Sequence, residues 1–178
     1  MKSIIFLLLM GTFFFSSPLS AEQAKDTLIY PACQYCGMDR HKFAHSRMLI
    51  EYDDGSTVPT CSIHCTAIDL AQKINATPAA IKVGDYDTKE LIAAEGAIWI
   101  LGGDRKGVMS SRPKWAFSSD AAAAAFVATH GGNIVTFDEA MKASYADMDS
   151  DSKSIRRKRQ NKKMETMEHS NMTPTHDH

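Results

Sequence analysis

The sequence predicts an α+β protein built from two ββαβ units. Two stretches of the chain share the order strand, strand, capped helix, strand, in similar lengths although their residues differ. Apolar residues alternate in the predicted strands and recur at helical spacing in the predicted helices. Hydrophobic residues make up 44% of the chain, enough for one shared core. We therefore expect a duplicated domain over residues 47–150, with its helices packed on mixed or antiparallel sheet.

The first unit begins with a predicted β-hairpin. RMLIEY (47–52) alternates, DDGS makes a turn, and STVPTC (56–61) follows. Ser62 then stands where it can cap a helix with the sequence IHCTAIDLAQKI, and Asn75 and Pro78 end that helix. IKVGDY (81–86) predicts the closing strand, and TKELIAAEG (88–96) predicts a short helix before the pattern starts again.

The second unit repeats that order. AIWILGG (97–103) and KWAFS (114–118) predict two strands. Ser118 or Ser119 caps the helix DAAAAAFVATH, which stops at Gly131 and Gly132 before the strand NIVTF. DEAMKASYA (138–146) predicts a closing helix.

The two ends of the chain have other compositions. Residues 1–21 combine Lys2, the apolar run IIFLLLMGTFFF and small residues ending at Ala21, which is the pattern of a secretory signal peptide. The apolar run is too short to span a membrane, and Glu22 stands where a lipoprotein would have cysteine. We expect an exported, soluble protein without a stable membrane anchor. The tail, residues 151–178, carries RRKRQNKK and then several Met and His residues, a composition typical of disorder.

Charge narrows the range of partners. After removal of the signal peptide, 19 basic and 21 acidic residues leave a formal charge of −2. Such a balance argues against general nucleic-acid binding. The Met- and His-rich tail has two interpretations, a solvated extension or a weak collector of a soft metal such as Cu(I).

The four cysteines fall into two pairs with metal-ligand spacing. Cys33 and Cys36 form C-Q-Y-C, and Cys61 and Cys65 form C-S-I-H-C at the start of the first predicted helix. Three interpretations remain open: disulfides, which exported proteins often contain, structural zinc, and thiol–disulfide exchange. Exchange is disfavoured because the C-x-x-C lies in the irregular segment 22–46 rather than at a helix that follows a strand. Haem attachment is excluded because Gly37, not histidine, follows Cys36.

Met38 adds a second kind of sulfur to this segment. Thiolate and thioether are soft donors that suit Cu(I). Gly37, between Cys36 and Met38, allows a turn tight enough for both sulfurs to face one ion. A packed methionine would explain Met38 equally well without a metal.

The motif YCGM (35–38), the hairpin with DDG, the helix after it and the stretch AFSSDAAAAAFVATHGGNIVTFDEA (116–140) resemble the NosL family, accessory proteins of nitrous oxide reductase. The resemblance covers roughly residues 30–145. It implies a fold of two ββαβ units similar to the organomercurial lyase scaffold, without implying that enzyme's chemistry. It also implies an exported protein that binds Cu(I) and supplies copper to the reductase.

The resemblance points to particular ligands. It implicates Cys36 and Met38 directly and suggests a distal methionine, for which Met109 is the candidate. His41, His45 and His64 are further candidates for an imidazole ligand. Unlike many family members, this chain is not expected to be a lipoprotein. Cys33, Cys61 and Cys65 would enlarge the copper site, hold a second metal or form a disulfide.

Taken together, these patterns predict a periplasmic Cu(I) metallochaperone rather than an enzyme. Its expected partner is nitrous oxide reductase or another copper-receiving protein, with a copper exporter or other donor upstream. The alternatives are a thiol–disulfide oxidoreductase and an interaction module stabilised by zinc or disulfides.

Overall fold

The structure, a computed structural model, describes residues 25–172, with side chains described to residue 167. The elements in chain order are α1 (Lys25–Ile29), β1 (Met48–Tyr52), β2 (Thr57–Thr60), α2 (Ile63–Gln72), β3 (Pro78–Gly84), β4 (Leu91–Ala93), β5 (Ile98–Leu101), β6 (Lys114–Phe117), α3 (Asp120–His130), β7 (Asn133–Val135) and α4 (Phe137–Met172). The predicted signal peptide, residues 1–21, lies outside the described residues.

The two ββαβ units are confirmed by strand order as well as by element order. The first sheet has the order β2-β1-β3-β4 and the second has β6-β5-β7. All pairs within both sheets are antiparallel. In each unit the first strand therefore lies between the second strand and the strand that follows the helix. An isolated parallel bridge between Asp85 and Ala116 joins the end of β3 to β6.

Helix starts follow the predicted serines in two different ways. Ser119 accepts a hydrogen bond from the backbone N–H of Ala122, as an N-cap should. Ser62 occupies the N-cap position of α2 in extended conformation, but its side chain makes no capping bond. Ser62 is buried, at the point where α2 begins beside the cysteines.

The helix predicted over residues 88–96 is wrong. Residues 91–93 form β4 instead, and they pair with β3 from Lys82 to Gly84. The sequence has good helix formers there, but a free edge of β3 gives the backbone a partner, and Ile92 packs on the core from that edge. Tertiary pairing outweighs local propensity in this segment.

Residues 151–172, where the sequence predicts a disordered tail, continue α4 in the structure, and residues 173–178 of that tail lie outside the described residues. The reason lies at the base of this extension. Asp147 bonds to Arg112 and Lys114, and Asp151 accepts hydrogen bonds from both the backbone N–H and the hydroxyl of Ser111. These anchors hold the helix on the second unit, and the charged run after Asp151 continues from a helix that is already formed.

The cysteines lie in the core that the two units share. Cys33, Cys61 and Cys65 belong to one buried cluster with Trp115, Phe117 and other apolar side chains of the second unit. A second cluster gathers around Met48 and Trp99. No helix among residues 25–172 is both long and apolar enough to cross a membrane.

Candidate metal centre

The first two cysteines lie on a tight loop after α1. The backbone N–H of Cys33 donates to the carbonyl of Met38 at 2.9 Å, and that of Gly37 donates to the carbonyl of Cys33 at 2.9 Å. Gly37 has φ +72°, a left-handed conformation that glycine adopts without strain. The loop therefore closes on itself, and a further bond from the N–H of Gln34 to the carbonyl of Pro59 attaches it to β2.

The other two cysteines come from the junction of β2 and α2. Cys61 directly follows β2, and Cys65 lies in the first turn of α2. The hydroxyl of Ser46 donates to the carbonyl of Cys61 at 2.9 Å, which fixes the junction. A hairpin strand thus brings this pair against the loop of Cys33 and Cys36.

All four sulfurs converge. The Sγ atoms of Cys33, Cys36, Cys61 and Cys65 lie within 4.8 Å of one another. The Sγ of Cys36 is 3.4 Å from that of Cys61, which is 3.8 Å from that of Cys65. All four are free thiols. Cys33, Cys61 and Cys65 are buried and Cys36 is half-buried, so the group has one accessible member.

The surroundings of the four thiols shift their pKa values in opposite directions. Hydrogen bonds from the thiols of Cys36, Cys61 and Cys65 lower the pKa of Cys33. The bond to Cys33 raises the pKa of Cys36, but bonds to Cys61 and Cys65 outweigh it, and the pKa is lowered. Hydrogen bonds to the sulfurs of Cys33 and Cys36, with burial, raise the pKa of Cys61 and Cys65. Within the group, Cys33 and Cys36 therefore favour the thiolate form more than Cys61 and Cys65 do.

A buried arginine holds the segment that carries the motif, and sequence reasoning missed it. Arg40 is fully buried. Its guanidinium donates to the carbonyls of Tyr30, Thr60 and Met48, and to the carboxylate of Asp26. It therefore links α1, β1 and β2 around the cysteine loop. The only hint in the sequence was a charged residue two positions after Met38.

Tyr35, between the two loop cysteines, is fixed by a buried carboxylate. Its hydroxyl donates to Asp69 of α2, and the hydroxyl of Tyr52 donates to the other oxygen of the same carboxylate. Asp69 is fully buried. Burial and the Asp69 carboxylate raise the pKa of both tyrosines. The loop is thus tied to α2 by a side chain as well as by its backbone.

Met38 and Met109, predicted as soft ligands, line the same cavity. This cavity has a volume of about 450 Å³ and also includes His45, Val108 and, from α4, Ile155 and Arg159. Met38, Met109 and Cys36 are all partly buried against the cluster that contains the other cysteines. Met109 has φ +57°. The second unit therefore brings a methionine to the same side of the molecule as the motif.

The three candidate histidines have different surroundings. His64 is buried and its Nδ1 lies 3.9 Å from an oxygen of Asp151, with neither atom in a hydrogen bond. Burial lowers the pKa of His64. The ring of His45 packs against Phe43, Tyr86 and Trp115. His41 is exposed. None of the three joins the four cysteines in the group of converging ligand atoms among the described residues.

Helix α4 passes close to the accessible cysteine. Arg159 donates to the backbone carbonyl of Cys36 at 3.4 Å. The same helix anchors the loop that carries Met109 through the bonds between Asp151 and Ser111. The tail that the sequence placed outside the domain therefore forms one wall of the cavity beside the site.

Fold and site together define a class: an α+β protein of two ββαβ units whose shared core carries four converging thiols, one of them accessible. Such a group is a donor set for a thiophilic metal ion. The chain belongs to the NosL family, whose sequence profile matches residues 30–145, more than half of the chain.

A solved structure supports the fold. The crystal structure of the copper chaperone NosL from Shewanella denitrificans is similar to this chain with a TM-score of 0.50 and 20% sequence identity. The similarity covers 61% of this chain and 87% of that one. No curated protein matches the sequence.

Proposed function

We propose that the protein is an exported Cu(I)-binding metallochaperone that carries copper to a protein partner. The observation that carries this proposal is the convergence of four free thiols with one accessible member, Cys36. Cu(I) is soft, and sulfur donors select it over harder ions. Family membership and the crystal structure of a copper chaperone with the same fold support the choice of copper.

The arrangement suits a carrier because its members differ in access. Cys36 supplies a thiolate that a partner's ligand can approach, while the buried thiols of Cys33, Cys61 and Cys65 offer the further donors behind it. Met38 and Met109, which line the neighbouring cavity, offer neutral soft donors to copper as it leaves the thiols. Copper then passes by stepwise ligand exchange without becoming free in solution.

We favour a carrier over an enzyme on the position of the thiols. A thiol–disulfide oxidoreductase needs an accessible, acidified cysteine at a helix N-terminus. Here the half-buried cysteine, Cys36, lies in a loop, and the cysteine in the first turn of α2, Cys65, is buried with a raised pKa. The site is therefore less suited to thiol–disulfide exchange than to carrying a metal ion.

Family membership supports a cellular role for this carrier. We propose that the protein acts in the periplasm, after removal of residues 1–21, and that nitrous oxide reductase or another exported cuproenzyme receives the copper. A copper exporter or other donor would load it. His64 faces Asp151 of α4, so we assign it a packing role beside Cys65 and do not count its imidazole among the copper ligands.

The test is an anaerobic Cu(I) titration of the reduced mature protein against a chromophoric Cu(I) chelator. We expect tight binding of about one ion per chain. Cys36→Ser and Met38→Leu should each weaken binding by about tenfold or more. Met141→Leu is the matched control, because Met141 packs on the other core cluster, and it should bind copper as the wild type does.

A second measurement separates storage from delivery. Copper-loaded protein is mixed with a copper-free cuproenzyme, and transfer is followed in the presence of excess chelator. A carrier delivers copper while the chelator stays colourless. In the titration, wild-type Cu(I) affinity in both Cys36→Ser and Met38→Leu would overturn the assignment of this site to copper.

A further inference from the structure

We propose that Cys33, Cys36, Cys61 and Cys65 form a tetrahedral zinc site, which holds one Zn²⁺ when copper is absent and releases it when Cu(I) binds. The zinc site rests on the geometry and charge of the four sulfurs. Only its displacement by Cu(I) rests on the proposed function.

The distances between the sulfurs fit a single four-coordinate ion. Zinc–thiolate bonds of about 2.3 Å place the sulfurs of a regular tetrahedron about 3.8 Å apart. The measured separations are 3.4 Å for Cys36 and Cys61 and 3.8 Å for Cys61 and Cys65, and all four Sγ atoms lie within 4.8 Å. Cu(I) commonly takes two or three sulfurs, so the fourth thiol has no necessary role in holding one copper ion. Zn²⁺ uses all four.

The supporting bonds are those of a zinc-binding loop. The backbone N–H of Cys36 donates to the sulfur of Cys33, and that of Met38 donates to the sulfur of Cys36. Such outer bonds orient ligands and offset the charge of thiolates. The left-handed Gly37 makes the second bond possible, because the chain reverses directly after Cys36. The spacings C-x₂-C and C-x₃-C place one pair on this loop and the other at the start of α2.

Charge also favours a divalent ion for the full set of thiolates. Four thiolates with one Zn²⁺ carry a net charge of −2, whereas four thiolates with one Cu(I) carry −3. Cys33, Cys61 and Cys65 are at most 3% exposed, so the additional buried charge is costly. Zn²⁺ therefore suits the fully deprotonated group, and Cu(I) suits a subset in which one thiol keeps its proton.

The zinc ion has a structural consequence in the copper-free protein. Between α1 and β1, the described chain has no helix or strand apart from the isolated bridge of Ala32 and Asp39. Zinc would attach this segment to the junction of β2 and α2 through two ligands on each side. Copper then enters a site that is already assembled, and the stronger preference of thiolates for Cu(I) drives the exchange.

The experiment uses the reduced, metal-free mature protein under anaerobic conditions. Co²⁺ is added first as a spectroscopic probe, then Zn²⁺, then Cu(I), with a zinc-sensitive dye present. We expect one equivalent of Co²⁺ to give the intense visible bands of tetrahedral thiolate coordination, which one equivalent of Zn²⁺ removes. One equivalent of Cu(I) should then release zinc to the dye.

Two variants identify the ligands. Cys36→Ser replaces the half-buried cysteine, so the fold should survive, which far-UV circular dichroism checks; zinc affinity should fall by about tenfold or more and the Co²⁺ bands should weaken. Met38→Leu is the matched control, since a thioether is not a zinc ligand. It should keep wild-type zinc affinity while losing Cu(I) affinity.

The outcomes separate the two proposals. If the folded protein binds Cu(I) but neither Co²⁺ nor Zn²⁺, the zinc inference is overturned and the copper function stands. If zinc binds through all four thiols and Cu(I) cannot displace it, the zinc site stands and the displacement, with the copper function of this site, is overturned.

Discussion

Individual residues fix the shape of the cysteine loop in two ways. Gly37 supplies a backbone conformation, φ +72°, that places Met38 back over Cys33. Arg40 supplies a buried guanidinium whose donors reach three carbonyls and one carboxylate. Gly37 acts through a left-handed backbone conformation that residues with a side chain rarely adopt. Arg40 acts through the hydrogen bonds of its side chain.

Gly37→Ala tests the conformational role. A Cβ at this position would have nothing within 4 Å, so the cost comes from the left-handed backbone alone. We expect the free energy of unfolding to fall by about 1 kcal/mol. Gly96→Ala is the matched control, because a Cβ there also meets open space without a left-handed φ, and it should be neutral or slightly stabilising. Urea unfolding measures both. Equal effects would contradict the role given to Gly37.

Arg40→Met tests the buried guanidinium. The change leaves the carbonyls of Tyr30, Thr60 and Met48 without this donor, and we expect it to lower the free energy of unfolding by at least about 2 kcal/mol. Lys42→Met, at an exposed position nearby, should change it by less than about 0.5 kcal/mol. Urea unfolding of the reduced proteins is the measurement. A loss for Arg40→Met no larger than the control's would show that the guanidinium does not hold the segment.

At the scale of elements, α4 and the loop before β6 hold each other. Asp147 and Asp151 are four residues apart on one face of the helix, and both bond to the segment that follows Met109. Val108 of the same loop packs in the core cluster that contains three of the cysteines, and these bonds add a second attachment. The position of Met109 beside Met38 therefore depends on a helix that begins at Phe137.

Asp151→Asn should loosen this contact. The charge-assisted bonds to Ser111 contribute about 1.5–3 kcal/mol, and an amide replaces them only in part. We expect faster tryptic cleavage within Arg156–Lys163 as the end of α4 detaches more often. Asp149→Asn, which removes only an exposed pair with Lys153, should leave the cleavage rate close to that of the wild type. A similar rate in both variants would show that Asp151 does not anchor the helix.

Asp147 makes this contact sensitive to acid. Burial raises its pKa, but bonds to Arg112 and Lys114 outweigh that effect and hold the pKa below its ordinary value of 3.8. A carboxyl with a lowered folded-state pKa stabilises the fold above its unfolded pKa, and the contribution is lost as pH falls through the folded value. The stability difference between wild type and Asp147→Asn should stay constant from about pH 5 to 8 and shrink below about pH 4. Unfolding curves across this range test it; a difference that grows in acid would contradict it.

At the scale of the molecule, the site joins the two units. Cys33 of the loop and Cys61 and Cys65 of the first unit pack with aromatic residues of the second unit, so a bound ion stabilises more than its own loop. Any ligand that binds only the folded state adds stability in proportion to its binding.

Metal binding should therefore raise the stability of the entire domain. At a free metal concentration of about 100 times Kd, the added free energy of unfolding is about 2.7 kcal/mol. We expect this gain in urea unfolding with buffered metal, measured by circular dichroism and by tryptophan fluorescence, because Trp99 and Trp115 lie in different core clusters. Cys36→Ser should lose most of the gain. A gain seen by one probe alone would show that the ion stabilises only its own segment.

Much of this protein is determined by local pattern. The alternation in β1 and β2, the capping position of Ser119 and the repeated order of elements predict the two units, because strand and helix periodicities depend on near neighbours. The motif C-Q-Y-C-G-M likewise identifies sulfur chemistry without a structure. These features are short-range, so one chain read in order is enough to find them.

Other features are decided only when distant segments meet. The sequence left the pairing of the four cysteines open, and their convergence depends on β2 lying against the loop of Cys33 and Cys36. Local propensity predicts a helix in the segment that instead forms β4 and pairs with β3. Composition predicts disorder in the segment of α4 that follows the bonds to Ser111 and Arg112. In each case the partner lies many residues away, and its contribution to the free energy exists only in the packed fold.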